Sequence, residues 1–436
     1  MKNLKQTIND LKHFLILWST QSLSSLGSSM TNFALVIWSY QQSGSALSTA
    51  LLSICSYAPY VLMSILAGAL SDKWNKKITM LVSDSFAALC TVTVLFLLRA
   101  GELKIWHLYC LNAVNGLMNT IQQPASDVAT SLVTPKRYYQ KAGGMRSMSN
   151  SLNQLLTPVA AAAMLSFAGI GGVILFDLTT FFLAFVSLSC FVKIPDLKQE
   201  QHTESVLEAA RQGLIYLKNN RGVLDLILFL AAINLVASMY HAAFPVSILS
   251  RIGGGETALG IVQTAAGSAM LAGSILASLL PAPKSRVRVI CNTLLFSMST
   301  ENFFLAFGRS MPVWCVGAAL GWGTIPLMNA NMDVLLRSCI PLQLQGRVYA
   351  ARNTLQFFTI PCGYFLGGAA IDFILEPFMG RQPPESIGVL LFGAGAGTGA
   401  TLLFLLLSVA GILICLMFRR DLAIWELERP DGQEHE

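Results

Sequence analysis

The chain has 436 residues, 54% hydrophobic and 12% charged, with 24 Phe against 23 acids and a formal net charge of +6. A mean hydropathy of +0.58 lies outside soluble usage and places the chain in a bilayer. The basic residues are scattered over short breaks between apolar runs and the nine Cys fall within or just beside those runs without a CxxC pair, which excludes a nucleic-acid face, a disulfide framework and a zinc site.

Crossing a bilayer core takes about 20 mostly apolar residues of helix, and the chain offers twelve such runs. They lie at 14–40, 46–70, 78–98, 105–133, 140–167 and 173–192, then at 223–249, 258–280, 289–307, 312–336, 346–375 and 388–418. Lipid offers no water to satisfy backbone groups, so open sheets are excluded, and runs this long are the wrong signature for a barrel. The expectation is an all-α membrane protein with twelve transmembrane helices. The first run is too long for a signal peptide and lacks the small-residue cleavage site.

Lys and Arg favour alternate breaks. With the N-terminus inside, the inner segments hold 22 of the 29 and the outer loops five, so both termini are expected in the cytoplasm. "SDKWNKK" is then the inner turn after the second span. Topology accounts for its Lys residues but not for Asp72. Gly68, Asp72, Lys76 and Lys77 together resemble the G-x-L-x-D-x-x-x-[RK]-[RK] signature of the major facilitator superfamily. The resemblance implies two pseudo-symmetric six-helix halves with substrate bound at their interface. It also implies a conformational latch, in which Gly68 permits close helix approach and Asp72 accepts hydrogen bonds from a facing helix N-terminus.

The halves are predicted as 1–192 and 223–418, joined by a cytoplasmic linker at 193–222 and followed by a cytoplasmic tail at 419–436. An offset of 206 carries Asp127 to Asp333, Pro135 to Pro341, Arg146 to Arg352, Asn150 to Gln356 and Asn153 to Thr359. The second-half counterpart of the motif turn, "ASLLPAPKSRVR", has no acid, so the latch is expected on one side only. In the linker, "SVLEAARQGLIYLK" spaces Ser205 and Glu208 as a capping box and sets Leu207, Ala210, Leu214 and Leu217 on one face of an amphipathic helix.

An ionised side chain in hydrocarbon costs about 2.5–3.5 kcal/mol on insertion scales, so it needs a partner or a function. Counting from the turns at 134–139 and Pro341 puts Asp127 level with Arg146 and Asp333 level with Arg352, roughly 9 Å from the inner helix ends. Two intramembrane charge pairs are therefore predicted. Asp177, Asp225, Glu301 and Asp372 are attributed to helix ends. Asp84 and His241 lie further from an end with no basic neighbour evident, which makes them the candidates for proton coupling.

Uncharged polar residues form stripes at spacings of three and four: Gln21, Ser25, Ser28 and Asn32 on the first span; Asn112, Asn115, Asn119 and Gln122 on the fourth; Asn150 and Asn153 beyond Arg146 on the fifth. Each set shares one helix face, and so many amides exceed the needs of helix packing. Gln21, Asn32, Asn115, Asn119, Gln122, Asn150, Asn153 and Gln356 are thus the candidate substrate cavity. The second-half counterpart of the fourth-span stripe, Ala318, Gly321, Ile325 and Met328, is apolar. A cavity polar on one side and apolar on the other suits an amphipathic organic molecule.

The sequence holds no GxxxxGK[ST] loop, no metal-ligand cluster and no nucleophile with acid and base partners, so no catalytic residue, metal or cofactor is assigned and an ion gradient is the expected energy source. The stretch "QQPASDVATSLVTPKRYYQKAGGMRSMSNSLNQLLTPVAAA" resembles the macrolide-efflux branch of drug:proton antiporters, which includes enterobactin exporters. Pro124-Ala125, Leu132-Val133-Thr134-Pro135, Ala142-Gly143-Gly144 and Pro158 carry the likeness; Gly143 stands where that branch usually has Asn. It implies proton-coupled export of a small drug-, macrolide- or siderophore-like compound. A monomer in a bacterial-type plasma membrane is the expected setting. The alternatives are import or uniport of a metabolite, a non-transporting receptor or scaffold, in which the polar stripes have no purpose, and a membrane-embedded enzyme, for which a catalytic constellation is missing.

Overall fold

A computed structural model of the chain describes residues 10–195, 206–341 and 344–428. All regular elements among them are helical. The chain divides into two units, one of Met1–Gly44 with Leu51–Thr203, the other of Ser45–Ala50 with Glu204–Glu436.

The first unit is built from α1 (Lys12–Ser43), α2 (Ala46–Lys73) from Leu51 onward, α3 (Lys76–Arg99), α4 (Ile105–Val133) and α5 (Tyr139–Cys190). Asn75 starts α3 by accepting from the Ile78 amide at 3.0 Å, an N-cap of the usual kind. The runs predicted separately at 140–167 and 173–192 are joined in α5, which breaks at Gly169 (φ 63°, ψ −176°). Only glycine takes that backbone conformation without strain, so one residue makes the bend for which a loop was expected. Leu35, Leu52, Val94, Leu108 and Ile174 form a core drawn from all these helices. Gly116 of α4 lies against the Ser56 carbonyl of α2.

In the second unit follow α6 (Val206–Asn219), α7 (Arg221–Ser250), α8 (Glu256–Leu279), α9 (Arg286–Phe307), α10 (Met311–Cys339), α11 (Gln345–Phe357) and α12 (Thr359–Ala369). A π-helical turn (Ala370–Leu375), α13 (Glu376–Gly380), α14 (Ile387–Phe392), α15 (Thr398–Arg419) and α16 (Leu422–Glu426) complete it. The predicted run at 388–418 is interrupted, because Gly393, Gly395 and Gly397 have φ of 89°, 103° and 86°, values no right-handed helix contains. Among the described residues, eight helical stretches are long and apolar enough to cross a membrane. The helices α1, α4 and α9 are not among them, since their polar residues dilute the apolar run.

Carboxylates cap three helix N-termini of the second unit, where exposed amides and the helix dipole favour negative charge. Asp372, within the π-helical turn and not at the end of its own span, accepts from Ser45 Oγ (2.5 Å) and from the Ala46 and Leu47 amides (2.9 Å each) at the start of α2. Glu376 accepts from Gly397 N and Gly399 N at 2.7 Å. Glu428 accepts from Ser285 Oγ at 2.6 Å and Val287 N at 2.9 Å, so the turn that lacks an acid of its own receives one from the tail. Ser205 of the expected capping box on α6 lies outside the described residues. The face predicted for α6 is only partly kept: Leu217 is buried and Leu214 half exposed, while the Tyr216 hydroxyl donates to the Cys339 carbonyl at 2.9 Å.

Candidate functional site

The polar stripes of the first unit converge on one cavity of about 750 Å³, lined by Gln21, Asn32, Asn115, Asn119, Gln122, Asn150 and Asn153. Helical spacing presents each stripe from one face of α1, α4 or α5, and cross-helix hydrogen bonds hold the faces together. Ser22 Oγ donates to Ser149 Oγ (2.8 Å), Asn153 Nδ2 to Ser25 Oγ (2.9 Å), and the Trp18 indole to the Met145 carbonyl (3.0 Å). Trp18, Tyr57, Tyr60 and Phe181 add aromatic surface to the lining. Gln356 is not part of this cavity. It belongs to the second unit, where its carbonyl accepts from Asn234 Nδ2 at 3.4 Å.

Asp84 reaches the same cavity from α3. Its Oδ1 accepts from Gln122 Nε2 at 2.6 Å and its Oδ2 from Gln21 Nε2 at 3.2 Å. Among the described residues, two neutral amides hold the carboxyl and no ion pair does, an arrangement open to either protonation state. Asp177, attributed in sequence to a helix end, also lines the cavity; it is buried and accepts from Ser28 Oγ at 3.0 Å. Its environment was not legible because Ser28 is remote in sequence and Gly27, beside it, makes the room: a Cβ at Gly27 would lie 2.9 Å from Asp177 Cα.

This face assignment predicts that Cys at Asn115 or Asn119 reacts readily with a water-soluble thiol reagent. Cys at Leu117 or Met118, turned about 100–200° away on the helix, should react more slowly. Equal labelling of all four positions, read by mass shift on a Cys-free background, would refute it.

Arg146 Nη2 and Asp127 Oδ1 lie 2.6 Å apart, but their side chains are 41% and 49% exposed. The expected buried pair is therefore a half-exposed one, because Arg146 faces the cavity, and such pairs couple by about 0.2–1 kcal/mol. A double-mutant cycle of Asp127→Asn and Arg146→Gln in thermal unfolding should return a coupling within that range, and one above about 3 kcal/mol would restore the buried reading.

The second pair does not form. Arg352 donates to Asn353 Oδ1 at 3.1 and 3.3 Å and lies 5.2 Å from the Tyr349 ring centroid, while Asp333 is exposed. Neighbours on α11 itself satisfy the guanidinium, so hairpin level was an insufficient guide.

At the motif turn, the Asp72 side chain and the surroundings of Gly68 lie outside what the structure describes. Lys77 Nζ donates to the carbonyls of Ser189 (2.9 Å) and Val192 (2.8 Å), closing the end of α5 as a cation should. Lys76 is buried and donates to the Trp74 carbonyl at 3.2 Å. Both lysines thus tie backbone within the first unit.

The apolar counterpart stripe is packed away: Ala318, Gly321 and Met328 are buried, and Gly321 abuts Glu301 of α9. It forms protein core in place of the expected cavity wall. His241 is exposed, with its ring centroid 5.6 Å from that of Trp322 and 6.4 Å from that of Tyr364. Just beyond α7, burial lowers the Arg251 guanidinium to about 10. It still carries its charge at neutral pH and donates to the Leu305 carbonyl at 2.7 Å.

Residues 17–364 match the family model of the Major Facilitator Superfamily. The chain is 21% identical over 364 residues to macrolide efflux protein A of Streptococcus pyogenes, covering 82% of this chain and 89% of that protein. It is 24% identical over 349 residues to the multidrug efflux pump Tap of Mycolicibacterium fortuitum, covering 76% and 82%. The fold is similar to that of the solved nucleoside transporter NupG, with a TM-score of 0.68 at 12% identity over 93% of this chain and 98% of the other.

Proposed function

The chain belongs to the major facilitator superfamily, and from that premise we propose that it exports a small amphipathic organic compound in exchange for protons. The observation that carries the reading is one cavity in which amide stripes, five aromatic side chains and Asp84 meet. Amides fix orientation by hydrogen bonding, rings supply apolar area, and a carboxyl held only by neutral donors can bind or release a proton. Its relatives' names, a macrolide efflux protein and a multidrug efflux pump, support the substrate class and the direction. The transporter is an integral membrane protein. In this reading it has twelve spans with both termini in the cytoplasm and works as a monomer in the bacterial plasma membrane.

Untargeted drug and metabolite profiling of bacterial cells with and without the protein tests the proposal. Lower intracellular levels of amphipathic compounds in the expressing cells, reversed when the proton gradient is collapsed, are expected. Higher levels of a metabolite would establish import in its place.

A further inference from the structure

Glu301 sits within α9 and is 5% exposed. Its Oε1 has no hydrogen-bond partner among the described residues. The other oxygen is seated where α10 has no side chain: a Cβ at Gly321 would lie 2.5 Å from Oε2. Tyr240 of α7 and Trp322 of α10, both neutral, are its polar neighbours. The exposed ring of His241 packs on Trp322 on one side and on Tyr240 on the other, 5.6 and 5.4 Å between centroids.

Among the described residues no cation is paired with this carboxyl. Arg251, just beyond α7, is engaged one turn further along α9 by the carbonyls of Leu305 and Gly308 and by Thr401 Oγ1. From α15 come Thr401 and Ser408, the latter donating to the Ser299 carbonyl at 3.2 Å. Phe392 of α14 stacks on Phe307. Cys291, Cys415, Arg419 and Glu428 gather at the opposite end of α9. On α10, Cys315 is part-buried, and Asp333 and Arg337 lie exposed near the far end.

A buried carboxylate without a cation is among the costliest groups a membrane protein can hold. A glutamine would fill the same space at no such cost, so packing alone gives no reason for an acid. We propose that Glu301 is a proton-binding site of the transport cycle, with His241 as the exposed group beside it. In this closed setting the carboxyl carries the proton, and exposure of the site to water releases it to solvent and leaves the carboxylate. The proposal rests on the proton-coupled reading above and adds to it a second carboxyl, in the second unit.

The test is difference infrared spectroscopy of the full-length protein in proteoliposomes, titrated from acid to alkaline pH. A protonated-carboxyl band that disappears on alkalinisation is expected in the wild type. It should be absent in Glu301→Gln, retained in Asp84→Asn, and displaced in midpoint in Tyr240→Phe, which keeps the packing and reports even if Glu301→Gln folds poorly. A band unaltered by both Glu301→Gln and Tyr240→Phe, or a wild-type band that never titrates, would overturn the proposal. Vesicle transport of erythromycin separates this from failure of the coupled reading. A wild type that moves erythromycin downhill without responding to a pH gradient overturns the coupling; a Glu301→Gln variant as responsive as the wild type overturns the site. The expected result is a drop of about tenfold or more in gradient-driven uptake, with exchange within about twofold of wild type.

Discussion

Asp84→Asn is expected to reduce gradient-driven export by about tenfold or more, equivalent to roughly 1.4 kcal/mol or above, while leaving the protein folded. Gln122 and Gln21 donate to the two oxygens of this carboxyl at 2.6 and 3.2 Å. An asparagine keeps one acceptor, and a flipped amide accommodates the other contact, so the structural loss is about 1 kcal/mol. What asparagine cannot do is exchange a proton. The variant should therefore retain passive exchange of substrate across proteoliposomes and lose accumulation against a gradient. Full gradient-driven transport by Asp84→Asn would remove this residue from the coupling machinery.

The second large effect is on stability. Gly116→Val should destabilise the protein by about 3 kcal/mol or more, the upper end of overpacking costs, because a Cβ at this position runs into the backbone carbonyl of Ser56. Backbone in a packed helix cannot step aside as a flexible side chain can. The whole stability of a domain is only about 5–15 kcal/mol, so folded yield in detergent should fall sharply. Gly143→Ala is the control: nothing lies within 4 Å of a Cβ there, and its melting temperature should be unchanged or slightly raised. Equal melting temperatures for Gly116→Val and the wild type would mean that α4 does not pack on α2 at this point.

The first unit's cavity was legible because a period of three and four on an apolar helix leaves a polar face little choice of where to turn. Gln21, Asn119 and Asn150 therefore meet in the structure as their spacing implied. Residues whose environment is set by another helix were harder to read. Asp177 depends on Ser28 and on the absent side chain of Gly27, and Glu301 on Gly321, none of which is near in sequence. Repeat symmetry misled in two places. Arg352 found partners on its own helix instead of Asp333, and the counterpart of the Asn-rich stripe became core against α9. A sequence repeat preserves backbone architecture more faithfully than it preserves side-chain partners. Likewise, the apolar run at 388–418 has the composition of one helix, yet three positive-φ glycines divide it.

The amphipathic substrate class now rests on the first unit alone, where Trp18, Tyr57, Tyr60 and Phe181 stand among amides. The most direct test is photolabelling of the full-length protein in proteoliposomes with a photoreactive erythromycin derivative, followed by mass-spectrometric mapping. Saturable adducts are expected on peptides of α1, α2, α3, α4 and α5 that line the cavity, competed by unlabelled erythromycin and reduced by Asn119→Leu. Adducts that are not competed, or that fall only outside those helices, would contradict this assignment.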